Sequence, residues 1–91
     1  MVNKTTARSI ALWIFREATR CSESGSWITY DFEIEEEYKI EITEEDRQLI
    51  ADTLKELFYD WAIIEIMIDK ESIDIQLADN YIEAEMKGEN E

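Results

Sequence analysis

Residues 27–43 read WITYDFEIEEEYKIEIT, and the fold turns on how that stretch is taken. Ile28, Tyr30, Phe32 and Ile34 alternate with Thr29, Asp31, Glu33 and Glu35; Tyr38, Ile40 and Ile42 then alternate with Lys39 and Glu41. Period-two alternation rich in β-branched and aromatic residues describes strands with one buried face. On that reading the stretch is two strands joined at Glu35, Glu36 and Glu37. The joint is poor turn chemistry, because no Gly, Asn or Asp supplies a positive φ. The rival reading makes residues 31–38 a short helix that leads into an extended segment at 39–42.

Working outward, the flanks are simpler. Towards the N-terminus, Ala7, Ile10, Ala11, Ile14, Ala18 and Cys21 recur at helical spacing, so a helix is expected to about Arg20, with Thr5 or Thr6 as N-cap. Leu12, Trp13 and Phe15 widen its apolar stripe, which calls for cover on two sides or for a second copy of the chain. Towards the C-terminus, Thr43 precedes Glu44, Glu45 and Asp46, close to a capping box. Leu49, Ile50, Thr53, Leu54, Leu57, Phe58 and Trp61 mark one face of the helix that follows. Residues 63–68 read as a strand buried on both faces. Asp69, Lys70, Glu71 and Ser72 make a connection, and Ile73, Ile75 and Leu77 alternate as a partner strand. Residues 81–86 read as a third strand or a short helix, and 87–91 as a frayed acidic tail.

The expected fold is a single α+β domain over residues 1–86, in the order α-β-β-α-β-β(-β), with two helices packed on antiparallel strands. The alternative is winged-helix-like, with three helices and a β-hairpin; it uses the same segments if 31–38 is helical. A chain of 91 residues has room for one domain. Its hydrophobic fraction of 45% sets it apart from a disordered acidic tail.

Charge narrows the function. The chain holds 23 Asp and Glu against 9 Lys and Arg, a formal net charge of −14. Phosphate and anionic lipid are repelled by such a surface, so direct nucleic-acid and membrane binding are not expected, whereas basic clefts on proteins are favoured. Residues 1–20 carry a net +3 through Lys4, Arg8, Arg16 and Arg20 against Glu17, and a basic first helix lying beside an acidic sheet is the plainest consequence. Without an apolar run of about 18 residues, a signal peptide or a second cysteine beside Cys21, a cytoplasmic location is expected.

Catalysis is not expected. The chain has no histidine, which removes His-based acid–base work and every Ser-His or Cys-His arrangement. Cys21 has no base beside it and is expected to be a buried or partly buried structural thiol. Asp69, Glu71 and Asp74 cluster, but without the alternate oxygen ligands, central Gly and closing Glu of a calcium loop. No metal and no cofactor are expected.

What asks for a reason is the acid band. Residues 31–46 hold nine acids and one base, Lys39, a net −8. On a strand, Asp31, Glu33 and Glu35 would project from one face about 6.5–7 Å apart, close to the spacing of phosphates along a nucleic-acid strand. Crowded like charges cost stability, and interspersed signs serve solubility better. The candidate partner-binding residues are Asp31, Glu33, Glu35, Glu36, Glu37, Glu41, Glu44 and Glu45, with Tyr30 and Tyr38 as aromatic anchors. Phe32 and Trp61 are expected in the core more than Trp27 or Tyr38. Leu12, Trp13 and Phe15 are the candidates for a homodimer contact.

In size, acidity and lack of catalytic residues the chain resembles small inhibitors of phage and mobile elements, such as anti-CRISPR and other DNA-mimic proteins. The resemblance is compositional and implies a phage-encoded inhibitor that occupies a basic nucleic-acid-binding site on another protein. The alternative is a homodimeric structural or adaptor domain that assembles through the first helix.

Overall fold

The decisive stretch divides at Tyr30. In the computed structural model, which describes residues 2–79, the elements are α1 (Lys4–Cys21), β1 (Ser26–Tyr30), α2 (Asp31–Tyr38), α3 (Glu44–Phe58), β2 (Ile63–Ile68) and β3 (Ser72–Leu77). The alternation is real as far as Tyr30, and beyond it a helical period wins. Asp31, Ile34, Glu35 and Tyr38 recur at i, i+3, i+4 and i+7, and they are the inward side of α2: Ile34 is fully buried and the other three are half-buried. Phe32 falls on the opposite side and is 62% exposed. Glu33 starts the helix by accepting the Tyr30 N–H at 2.9 Å. Lys39 ends it in the left-handed region, at φ 56°. Of the two readings of 31–38, the helix is therefore the one found, and the paired strands at 31–42 are corrected.

The class is α+β, with an antiparallel three-stranded sheet in the order β1-β3-β2. Helix, strand, two helices and a hairpin follow one another as in the winged-helix-like alternative. The third strand or helix expected at 81–86 and the tail at 87–91 lie outside the described residues.

α1 and α3 pack on each other and on the inner face of the sheet. Ile10, Ile14, Ile50 and Leu54 meet Ile63, Ile73, Ile75 and Leu77 in one cluster. Phe15 joins it by stacking on Phe58, with ring centroids 3.9 Å apart. Among the described residues helices cover only one side of the sheet, and the exposure along β2 corrects the doubly buried strand at 63–68. β2 is an edge strand with a bulge between Ile63 and Glu65, and it leaves Ile64, Met67 and Ile68 exposed.

Three smaller expectations are also corrected. Asn3, rather than Thr5 or Thr6, caps α1 by accepting the Thr6 N–H. Trp61 sits past the end of α3, where its indole N–H donates to the Leu57 carbonyl at 2.8 Å, and is 57% exposed. Cys21 ends α1 on the surface, with no burial to protect it.

Candidate functional site

The acid band separates into acids that build the fold and acids that face water. Asp31 belongs to the first group. Its carboxylate receives the Arg47 guanidinium from Nε at 3.0 Å and from Nη2 at 2.6 Å, in a forked pair almost closed to solvent. These hydrogen bonds hold the Arg47 pKa above its ordinary value against burial, with help from the charges of Asp31, Glu44 and Glu71. The pair ties α2 to α3.

Asp46 is the most buried acid of the band, at 1% exposure. Burial works against its charge. Hydrogen bonds from the Val2 N–H at 2.8 Å and the Thr43 N–H at 3.1 Å outweigh that and hold the carboxyl below its ordinary value. With the Asp46 N–H donating to the Thr43 hydroxyl, these bonds complete the expected capping box and pin the N-terminal segment to α3. Glu33 is spent on the Tyr30 N–H, and Glu35 on the Ile42 N–H at 2.8 Å. The ladder expected of Asp31, Glu33 and Glu35 on a strand is thus corrected: the three lie on a helix, and each accepts a hydrogen bond within the chain, Asp31 from Arg47 of α3 and the other two from nearby backbone N–H groups.

Glu36, Glu37, Glu41, Glu44 and Glu45 remain, all exposed. The structure brings together only some of them. Glu44 and Glu45 line an open cleft of about 740 Å³ between the first turn of α3 and the β2–β3 turn, with Arg47, Gln48, Ile68, Asp69 and Lys70. Arg47 is committed to Asp31, so Lys70 faces three carboxylates there. Glu41 lines a different cleft, beside Val2, Asn3, Thr6 and Ile40. Glu36 and Glu37 occupy the last turn of α2.

The aromatic candidates divide as well. Tyr38 is held inside the chain: its hydroxyl shares a hydrogen bond with Ser9 at 3.1 Å, and its ring meets Trp13 edge-on at 6.0 Å. Tyr30 is on the surface, stacked on Phe32 at 5.7 Å. Of the dimer candidates, Phe15 is in the core and Trp13 is half-buried, so Leu12 alone of the three is exposed. The basic residues of α1 do not cancel the acids. Among the described residues, Lys4, Arg8, Arg16 and Arg20 form no ion pair within 4.0 Å.

Sequence reasoning missed Asp69 and Lys70 as partners of Glu44 and Glu45, because only the sheet topology folds the hairpin turn against α3. It also missed Arg47 as the counter-charge of Asp31. The i+16 separation carries no local signal, although Arg47 is the one arginine outside the first helix. No helix among the described residues is long and apolar enough to cross a membrane. No protein-family model, curated protein or solved structure matches the chain.

Proposed function

We propose that this domain is an acidic protein-binding inhibitor, which occupies a basic nucleic-acid-binding site on a partner protein through the cleft between α3 and the β2–β3 turn. In a winged-helix-like arrangement these are the two elements that would flank a nucleic acid. Here they carry Glu44, Glu45 and Asp69, which repel phosphate and attract Lys and Arg. The observation that carries the reading is the pairing of Arg47 with Asp31, which removes the one arginine of that cleft from service and leaves it acidic.

A second support comes from helix electrostatics. Acids in the first turn of α3 suit the positive end of the helix dipole, so Glu44 and Glu45 have a structural use. Glu36 and Glu37 sit at the opposite, negative end of α2, where the last turn has no base. They oppose the dipole, and a binding role accounts for their presence.

Capture from host lysate at low and high salt, with and without competing nucleic acid, tests this. The expected partner is a nucleic-acid-handling protein whose capture weakens as salt rises and whose nucleic acid the domain displaces. Reversing Glu44 and Glu45 to Lys abolishes capture and, because both acids suit the positive end of the α3 dipole, lowers the thermal unfolding midpoint by a few degrees, so circular dichroism must show the variant folded at the temperature of capture. A partner held equally tightly by that variant, or at both salt concentrations, refutes the reading.

A further inference from the structure

The outer face of the sheet departs from the pattern expected of a solvated surface. β3 obeys it: Ile73, Ile75 and Leu77 point inward, while Asp74 and Gln76 point out. Its neighbours do not. Register places Ile28 of β1 opposite Asp74, and Asp74 opposite Met67 of β2, so the three side chains form one row across the sheet. Ile28 is 44% exposed and Met67 58%. Strands lie about 4.8 Å apart, so the two apolar side chains stand about 10 Å apart with a single carboxylate between them. Tyr30, stacked on Phe32, stands beside Ile28 two residues along β1, opposite Ser72. The result is a trough of about 410 Å³ with apolar walls and an acidic floor, rimmed by Asp69 and Glu71. Among the described residues Asp69, Glu71 and Asp74 form no ion pair.

That chemistry selects its occupant. A Lys or Arg side chain has an apolar stem and a charged tip, which fit the walls and the floor in turn. An exposed aromatic pair beside it suits a guanidinium face. A second copy of the chain is a poor occupant, because each copy carries a net −14. We infer that the trough between Ile28 and Met67 docks an arginine or lysine of the partner protein, flanked by apolar residues of the same segment. This rests on the reading of a basic partner and adds where its apolar contacts fall, on the far side of the hairpin turn from the α3 cleft. Ile68 and Asp69 line both hollows, so a single partner can straddle the turn.

Isotope-labelled full-length chain titrated with three synthetic peptides tests the assignment. One alternates leucine and arginine, one serine and arginine, and one leucine and glutamate. The leucine–arginine peptide is expected to shift the amides of Ile28, Tyr30, Met67 and Asp74, and to bind about tenfold more tightly than its serine counterpart. Ile28→Thr with Met67→Thr removes that tenfold advantage. Threonine suits an outward strand position, and circular dichroism confirms that the sheet persists. Asp74→Asn, which changes no shape, weakens the leucine–arginine peptide alone. Equal binding of both arginine peptides at Glu44 and Glu45, with the sheet face silent, overturns this inference and leaves the basic-partner reading standing. If neither arginine peptide binds at low salt, both fall. Equal binding of the leucine–glutamate peptide, or self-association that the double threonine variant dissolves, also overturns the trough.

Discussion

Asp31 and Asp46 can be set against Glu36 and Glu37, acids drawn from the same dense run. The first two are enclosed, and each meets donors that come from elsewhere in the chain. The other two are exposed at the unfavourable end of a short helix. An acidic run is therefore not one feature. Part of it is scaffold, whose negative charge the fold consumes, and only the remainder is available to a partner. A sequence count of −8 over residues 31–46 overstates the working surface.

The contrast breaks most visibly at Arg47. Arg47→Met leaves the Asp31 carboxylate enclosed without its counter-charge, which is expected to cost about 3 kcal/mol of stability. Adding Asp31→Asn recovers part of that loss, because the uncompensated charge is gone. Urea unfolding of the two single variants and the double variant measures the coupling. If Arg47→Met unfolds at the wild-type midpoint, Asp31 is not scaffold and the division of the acids fails.

Asp46→Asn comes next, with an expected loss of about 2 kcal/mol from the cap and the Val2 tether together. The sign of the pH dependence follows from the lowered pKa. The unfolded chain binds this proton near 3.8 and the folded chain only below that, so the contribution of Asp46 is complete above 3.8 and fades as pH falls through the folded value. Other acids titrate in the same range. The quantity to measure is thus the difference between wild type and Asp46→Asn, which is expected to shrink as the solution is acidified below pH 3.8. A difference that stays constant shows that the charge of Asp46 is irrelevant to its role.

How much of this was legible depended on whether the signal was local. The capping box at Thr43 and Asp46 could be read because its partners are three residues apart. The α3 core face and the alternation of β3 could be read for the same reason. Residues 31–38 could not be settled, because Ile34 and Tyr38 satisfy the helical period while Tyr30, Phe32 and Ile34 satisfy the strand period. The outcome lies in long-range contacts, notably Asp31 with Arg47. Burial was the other blind spot. Phe32, Trp61 and Met67 are large and apolar, yet Phe32 falls on the outer side of α2, Trp61 past the end of α3 and Met67 on the outer face of the sheet. The exposure of Met67 and Ile28, invisible to composition, is what forms the trough on that face.

Thr29 sharpens the comparison from the opposite direction. It is 2% exposed on the inner face of β1, and among the described residues its hydroxyl has no hydrogen-bond partner. Asp46 shows a buried polar group fully supplied with donors; Thr29 shows one left unsupplied. Thr29→Val keeps the shape and the strand propensity and removes the penalty, so stability is expected to rise by about 1 kcal/mol. Chemical unfolding measures this, and a loss of stability instead would point to a partner for the hydroxyl.

The smallest expected effect is the most informative about function. Glu36 and Glu37 oppose the dipole of α2, and Glu37 lies one turn from Glu33, a like charge at i,i+4. Among the described residues neither makes a hydrogen bond or ion pair that replacement would remove. Glu36→Lys and Glu37→Lys should therefore raise the thermal midpoint slightly, by about 1–3 °C, since a charge favoured by the dipole replaces one it disfavours. If these acids serve only as a solvated face, the gain comes without loss. If they meet a basic partner, the more stable variant binds it less well, the trade expected where a site is held against the interest of the fold. Measuring midpoint and capture on the same preparation separates the cases. A variant that melts lower than wild type would place Glu36 and Glu37 with Asp31 and Asp46 as scaffold, and would remove the distinction between the two groups.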